Sequence, residues 1–194
     1  MFTGSIPTNL ANLKNLSILA LSSNSLSNTI PSQLGSLTNL YYLELVNNNL
    51  VGSVPQSFAA LINLEGFYLY LNHLTSTIPF FIGNFNKLNN LQLHSNLFSS
   101  SIPSSLAQLT ALSNLLLHNN MLTSGPDGLS SIVDPVNQLA LSTIDLSSNM
   151  LTGPLPNAFF LLPNLDSLAM VANCFEGYLP GSICLATNLR SLVR

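Results

Sequence analysis

The sequence predicts an α/β solenoid, in which similar structural units stack along one axis and share one parallel β-sheet. Asparagine recurs every 24 residues through most of the chain. A set of leucines keeps fixed offsets from each asparagine, and in most units a proline follows seven residues after the asparagine. A period of roughly 20 to 50 residues indicates stacked repeats rather than one globular core. These residues, called the frame asparagines below, are Asn24, Asn48, Asn72, Asn96, Asn120, Asn149 and Asn173.

The first element of each unit is a Leu-x-Leu step, as in Leu19 and Leu21 or Leu43 and Leu45. Side chains alternate along a strand, so both leucines face the core and we predict a short strand around them. Each unit contributes one strand in the same direction. The strands must therefore pair in parallel, about 4.8 Å apart, with the intervening residues facing solvent.

The frame asparagine comes next, where the chain turns out of the strand. Its amide both donates and accepts hydrogen bonds, so a stacked column of asparagines can satisfy buried backbone groups that sheet pairing leaves free. Replacing one of them with leucine should cost about 1 to 3 kcal/mol for the unsatisfied group.

The complete unit reads Leu-x-x-Leu-x-x-Leu-x-Leu-x-x-Asn-x-Leu-x-Gly/Ser-x-Ile-Pro and resembles the plant-type leucine-rich repeat over nearly the whole chain. The resemblance implies a right-handed solenoid with a concave parallel sheet, short 3₁₀ or helical segments on the convex side, and a second small strand before the proline. The recurring prolines are consistent with this fold, because a proline lacks a backbone N–H and fixes the backbone at one bend in each repeat. These prolines are Pro7, Pro31, Pro55, Pro79 and Pro103.

Residues 1–194 read as a single domain of about seven to eight repeats. Phe2 and Ile6 stand at the offsets of Leu26 and Ile30, so the chain begins inside a unit, and it also stops inside one. We therefore expect a fragment that lacks both polar end caps. Apolar ends of this kind favour end-to-end self-association.

The repeat loses its register once, between Asn120 and Asn149. Residues 123–140 contain turn-forming Gly, Pro and Asp, as an insertion requires. We expect the insertion to lie on the convex or edge side. We favour a tolerated surface insertion over the alternative, a loop that adds a binding contact.

Composition excludes several functions. Hydrophobic residues make up 47% of the chain, charged residues only 6%, and the net charge is -3, so there is no basic stripe for nucleic acid. We find neither a run of about 20 apolar residues for a membrane span nor a signal peptide. No phosphate loop or serine elbow occurs, so we predict no enzyme and no cofactor. An extracellular or cell-surface location would follow if the chain belongs to a longer secreted protein.

The solvent-facing strand positions are the candidate ligand site. Four of the five tyrosines fall there, with histidines and carboxylates beside them. An aromatic ring supplies contact area at low entropy cost, although exposed strands also favour tyrosine without any function. His94 and His118 share one column, but without a third ligand we expect no metal site. The predicted ligand-binding residues are Tyr41, Tyr42, Glu44, Glu65, Tyr68, Tyr70, Gln92, His94 and His118.

The two cysteines, Cys174 and Cys184, are a candidate disulfide pair within one repeat. The chain bends between them, and a Cα–Cα distance above roughly 7 Å would prevent a disulfide. Free or separately paired thiols are therefore the alternative.

The resemblance extends to the ectodomains of receptor-like proteins and receptor-like kinases, and to polygalacturonase-inhibitor-type proteins. It implies a non-catalytic recognition scaffold that binds a protein, peptide or glycan ligand on the concave sheet. The alternative is an ice-binding solenoid. In the 24-residue register, Ser and Thr form two outer columns with a spacing of about 4.8 Å. These columns contain Thr3, Ser27, Thr75 and Ser99, and Ser5, Thr29, Ser53, Thr77 and Ser101.

Overall fold

The computed structural model describes residues 1–126 and 128–193. It confirms the predicted leucine-rich repeat solenoid, with one long parallel sheet that contains eight strands among the described residues. Each strand pairs only with the strands of the preceding and following repeats. These strands are Ile18–Ala20, Tyr42–Glu44, Gly66–Tyr68, Asn90–Gln92, Asn114–Leu116, Thr143–Asp145, Ser167–Ala169 and Ser191–Val193.

The long sheet keeps the 24-residue register that the leucines predict. Leu43 lies between Leu19 and Phe67, and all three are buried. The same register continues across the insertion, where Leu115 pairs with Ile144. Equivalent side chains of neighbouring repeats therefore form straight columns on the solvent face of the sheet.

A second set of short strands follows the frame asparagines, as the resemblance implies. Four of them form one sheet, and the others form two pairs. The four-stranded sheet contains Thr3–Ser5, Ser25–Thr29, Asn49–Gly52 and His73–Leu74. The pairs are Ser99–Ser101 with Met121–Thr123, and Thr152–Gly153 with Cys174–Phe175.

The outer strands do not keep the register assumed for the hydroxyl columns, so that part of the sequence analysis is wrong. Thr3 pairs with Ser25 rather than Ser27, and Ser5 pairs with Ser27 rather than Thr29. The cause is a hydrogen bond to a frame asparagine. The N–H groups of Leu26 and Leu50, for example, each donate to the asparagine 22 residues later. Ser, Thr and other residues therefore alternate along the true columns.

Short helical segments begin directly after a proline in every described unit except the insertion, where the segment follows Gly128. Pro31 has φ -64° and ψ 128°, and its carbonyl accepts the N–H of Leu34 at 3.1 Å, which starts the turn. The 3₁₀ segments are Thr8–Asn12, Ser32–Ser36, Gln56–Ala60, Phe80–Asn84, Ser104–Gln108, Leu129–Ile132 and Gly181–Leu185. One segment, Asn157–Phe160, is α-helical.

A continuous apolar core fills the space between the sheets and the helical segments. Leucines dominate it, and the rings of three phenylalanines contact one another along it in tilted or edge-to-face arrangements. The ring centroids of Phe58 and Phe67 are 6.4 Å apart, and those of Phe67 and Phe85 are 6.3 Å apart. Each such buried side chain contributes about 1.5 to 3 kcal/mol, so the core stabilises the whole length of the stack.

The frame asparagines connect each repeat to the preceding one through hydrogen bonds. The Oδ1 of Asn96 accepts the N–H of Leu74 at 2.9 Å. Its Nδ2 donates to the carbonyls of Leu69 at 3.0 Å and Leu93 at 3.2 Å. The same bonds recur at the other frame asparagines, of which Asn48, Asn72, Asn96, Asn120 and Asn149 are buried.

The residue before each frame asparagine adopts a left-handed backbone conformation. Its φ is 57° at Ser23, 52° at Asn47, 56° at Leu71 and 54° at Ser95. This conformation turns the chain out of the strand so that the asparagine side chain reaches the neighbouring repeat. Leucine is poorly suited to it, because its Cβ approaches the backbone.

The insertion at 123–140 packs its helical turn beside the segments Ser104–Gln108 and Asn157–Phe160. Asp127 lies outside the described residues. Gln138 stands at the frame position that is leucine in most units, yet it is fully buried. Its Nε2 donates to the carbonyls of Leu106 at 2.8 Å and Leu109 at 3.3 Å, and its Oε1 accepts the N–H of Asp134 at 2.8 Å. Gln138, which was not predicted from the sequence, therefore ties the insertion to the core.

Cys174 and Cys184 are both exposed free thiols. A disulfide between them is absent from the structure, and the candidate pairing stays a prediction.

Candidate functional site

The tyrosine cluster, which is Tyr41, Tyr42, Tyr68 and Tyr70, lies on the solvent face of the long sheet. The rings of Tyr41 and Tyr42 meet edge to face, with centroids 5.1 Å apart and planes at 68°. The rings of Tyr42 and Tyr68 are nearly parallel, with centroids 6.4 Å apart and planes at 22°. All four side chains are half-buried, so the rings support one another and still present a face to solvent.

Gly66 makes this arrangement of tyrosines possible. It pairs with Tyr42 in the sheet and is buried beneath the tyrosine rings. A Cβ at this position would overlap Cε2 of Tyr68 and Cδ1 of Tyr42. Gly66 was not among the predicted site residues, although a glycine in a strand between tyrosines indicates that another group approaches the backbone closely.

Tyr70, His94 and His118 form the ring column, in which three consecutive repeats stack their rings. The centroids of Tyr70 and His94 are 4.3 Å apart with planes at 19°. Those of His94 and His118 are 4.1 Å apart with planes at 13°. The straight register of the long sheet brings these side chains together, since each occupies the second position after its strand.

The carboxylate of Asp145 lies beside His118, which is the last ring of the ring column. The Nδ1 of His118 lies 3.2 Å from Oδ2 of Asp145, an electrostatic contact whose alignment is not that of a hydrogen bond. Burial, assisted by neighbouring His118, lowers the pKa of His94 to about 4, and Asp145 opposes this shift. His94 is therefore neutral at pH 7. Asp145 was not among the predicted site residues, although it shares a solvent-facing column with Glu44, Tyr68 and Gln92.

A depression of about 310 Å³ lies beside the tyrosine cluster and is called the Glu44 pocket. Burial raises the pKa of Tyr68, and the charges of Tyr42, Glu44 and Tyr70 add to the effect. The Nε2 of Gln92 donates to Oδ1 of Asn90 at 2.9 Å. The pocket is lined by Ser22, Ser23, Glu44, Val46, Tyr68, Tyr70 and Gln92.

The predicted site residues thus form two connected groups. Glu44 and Gln92 lie with Tyr68 and Tyr70 at the Glu44 pocket, whereas the histidines extend the ring column away from it. Tyr41 and Glu65 belong to the preceding column, where the N–H of Glu65 donates to the carbonyl of Tyr41 at 2.9 Å. Glu65 does not line the pocket.

A larger cavity, of about 730 Å³, lies away from the tyrosine cluster, between the insertion and the last outer strands. Its described lining is mostly proline, glycine and small polar residues, including Pro126, Gly128 and Pro154. It presents few polar groups that converge on one point, which is what a specific ligand site needs. We assign no function to it.

Within residues 1–126 and 128–193, no three His, Cys, Asp or Glu side chains are grouped as a metal ion would require. In the same part of the chain, no helix has the length and apolarity needed to cross a membrane.

Comparisons with known proteins agree with the fold and the repeat. The family model described as Leucine Rich Repeat matches residues 15–37, 39–61 and 140–162. The solved structure of the plant peptide hormone receptor RGFR1 in complex with RGF2 is 37% identical with a TM-score of 0.89, covering 96% of this chain and 29% of that chain. The leucine-rich repeat ectodomain of the Arabidopsis receptor kinase HAESA, in complex with an IDA peptide hormone ligand, is 33% identical with a TM-score of 0.89, covering 98% of this chain and 31% of that one.

A plant ice-binding protein is also similar, at 25% identity and a TM-score of 0.70, over 90% of this chain and 63% of that one. No curated protein matches the chain. The chain spans less than a third of the length of the RGFR1 and HAESA structures.

The chain is a leucine-rich repeat protein. Its repeats resemble those of the ectodomains of plant receptor kinases, which confirms the resemblance inferred from the sequence.

Proposed function

We propose that this chain is a non-catalytic recognition scaffold, which binds a protein, peptide or glycan ligand on the solvent face of the long sheet. The observation that carries this proposal is the tyrosine cluster joined to the ring column. Together they place six aromatic or imidazole rings on four consecutive repeats. A peptide is the ligand class we favour, because the RGFR1 and HAESA structures both contain a peptide hormone.

The rings of this surface are preorganised for binding. Each ring is held by a neighbouring ring, and the strands below are fixed by the core, so little side-chain entropy remains to be lost on binding. Tyrosine also combines an apolar ring with a polar tip, the combination found at the residues that dominate binding interfaces. A surface of this kind supplies affinity from a few side chains.

The proposal also includes an extracellular or cell-surface location and the absence of catalysis. Similarity to receptor ectodomains supports an extracellular or cell-surface position. The carboxylates Glu44 and Glu65 lie on an open sheet and do not converge on one pocket, which argues against acid–base chemistry between them.

The proposal is tested by selecting peptides from a random displayed library against the chain and measuring their affinity by isothermal titration calorimetry. Tyr68→Ala and Tyr70→Ala should each weaken binding by about 10-fold to 100-fold, as truncation of a central aromatic does. Tyr178→Ala is the matched control, because Tyr178 is a highly exposed tyrosine outside the long sheet. Peptides whose affinity changes only with Tyr178→Ala would contradict the proposal.

Ice binding is the second candidate, supported by the similarity to a plant ice-binding protein and by the low charge of the chain. The observed register weakens it. Ser27 pairs with Asn49 and Thr29 pairs with Val51, which in turn pairs with His73, so the hydroxyl groups do not form an unbroken flat array.

A further inference from the structure

We propose that the Glu44 pocket receives the guanidinium group of an arginine side chain of the ligand. This inference rests on the proposed function and specifies the chemistry that one part of the recognition surface selects. It comes from the charge, the rings and the hydrogen-bonding groups that line the pocket.

The first observation is an uncompensated carboxylate. The side chain of Glu44 is half-buried, and among the described residues it makes no hydrogen bond and no ion pair. The described cations are engaged elsewhere. The Nζ of Lys14 donates to Oγ of Ser36 at 2.7 Å, the Nζ of Lys87 donates to Oδ1 of Asn63 at 2.9 Å, and Arg190 pairs with Asp166. The pocket therefore carries a negative charge that a ligand cation can neutralise.

The second observation is the pair of tyrosines in the pocket wall. Tyr68 and Tyr70 both line the pocket together with Glu44. The face of a tyrosine ring attracts a cation placed within about 6 Å of its centroid. Val46, which is buried, adds an apolar surface against which the methylene stem of a long cationic side chain can pack.

The third observation concerns Gln92. Because its Nε2 is used by Asn90, its Oε1 remains as an acceptor at the pocket, where the described residues supply it with no donor. Glu44 and Gln92 thus offer acceptor oxygens from the two strands that flank the strand of Tyr68. The negative potential that Glu44 creates also contributes to the raised pKa of Tyr68.

These features favour guanidinium over ammonium. A guanidinium is planar, stacks on aromatic faces, is weakly hydrated and donates from a fixed fork to more than one acceptor. The pocket volume of about 310 Å³ is at the small end of ligand sites, which suits one side chain.

The test is an NMR titration of the 194-residue chain with Nα-acetyl-arginine amide. Nα-acetyl-citrulline amide serves as the neutral isostere, and Nα-acetyl-lysine amide as the ammonium. The ring signals of Tyr68 and Tyr70 are assigned from Tyr68→Phe and Tyr70→Phe variants. We expect the arginine compound to shift these signals saturably, with a dissociation constant on the order of 1 to 10 mM. The lysine compound should bind more weakly, and the citrulline compound should not saturate.

The decisive variant is Glu44→Gln, compared with Glu65→Gln, which makes the same charge change on the same face outside the pocket. Glu44→Gln should weaken arginine binding by about 3-fold to 10-fold, as loss of a partly exposed charge partner does. Glu65→Gln should change it by less than about 2-fold. Equal binding of citrulline, tighter binding of lysine, or an unchanged affinity in Glu44→Gln would overturn the inference.

The outcomes separate this inference from the proposed function. If selected peptides depend on Tyr68 and Tyr70 but contain no arginine, the recognition surface stands and the arginine pocket is refuted. If the arginine compound binds as expected but no selected peptide depends on the tyrosines, the pocket stands and the proposed function fails.

Discussion

Replacing the frame residue Asn96 with leucine should destabilise the protein by about 2 to 4 kcal/mol. The substitution keeps the volume similar but leaves the buried N–H of Leu74, bonded at 2.9 Å, without its acceptor. The carbonyls of Leu69 and Leu93 each lose one donor, bonded at 3.0 and 3.2 Å, and keep a second donor from another frame asparagine. An unsatisfied buried group costs about 1 to 3 kcal/mol, and each lost hydrogen bond costs about 0.5 to 1.5 kcal/mol. The total is a large fraction of the 5 to 15 kcal/mol that typically stabilises a domain.

Asn173→Leu provides the matched control. Asn173 makes the same pattern of hydrogen bonds, including one from the N–H of Leu151 at 3.1 Å, but it is only partly buried. Water can therefore replace the lost amide, and the expected cost is about 1 kcal/mol. The two variants differ in solvent access rather than in bonding.

Urea denaturation followed by circular dichroism measures both costs from the shift in midpoint at constant slope. A cost below about 1 kcal/mol for Asn96→Leu, or equal costs for the two variants, would refute the reasoning that desolvated backbone groups make the frame asparagines necessary. A change in slope would show that the variant unfolds in separate segments, as repeat proteins can.

Three further predictions follow. Gln138→Leu should lower the free energy of unfolding by about 1 to 3 kcal/mol in urea, although it restores the leucine of the repeat, because it leaves the N–H of Asp134 without its acceptor; a stabilised variant would contradict this. Leu71→Asn should raise the melting temperature, with a gain of about 0.5 to 1 kcal/mol, because asparagine tolerates the φ of 56° better than leucine does; a lower melting temperature would refute it. The pKa of His94 is about 4 in the folded protein and 6.5 for an unperturbed histidine, so the unfolded chain binds more protons between these values and stability should fall as the pH decreases through that window. His94→Gln should reduce this loss in urea titrations at pH 7, 5.5 and 4.5, and an identical pH dependence in both proteins would argue against a buried neutral imidazole.

The fold could be predicted from the sequence because each repeat contains the same pattern of residues. Leu43 and Leu45 predict one buried face, and Asn48 predicts the turn that follows. The other units carry the same pattern, so an irregular unit does not mislead the prediction. The same repetition fixed the register of the long sheet, and hence which side chains share a column.

The register of the outer strands could not be read from repetition. Asn48 takes the N–H of Leu26, which sets a spacing of 22 residues between paired strands, while the sequence repeats every 24. A side-chain hydrogen bond therefore decides the pairing, and no periodicity of apolar residues reports it.

The positions of the candidate side chains on the sheet could be predicted from the sequence, but their contacts could not. Four tyrosines and two histidines stand where the columns place them, since column membership depends only on register. The roles of Gly66 and Asp145 depend on three-dimensional contacts. Gly66 acts through the absence of a side chain beneath two rings, and Asp145 reaches His118 from the other side of the insertion.

The central claim is that the rings on the long sheet bind the ligand, and a crystal structure of the chain with a selected peptide tests it most directly. We predict a peptide that crosses the strands Tyr42–Glu44 to Asn114–Leu116 and contacts the rings of Tyr68 and Tyr70. A peptide bound instead along the outer strands, or in the cavity beside the insertion, would contradict the claim.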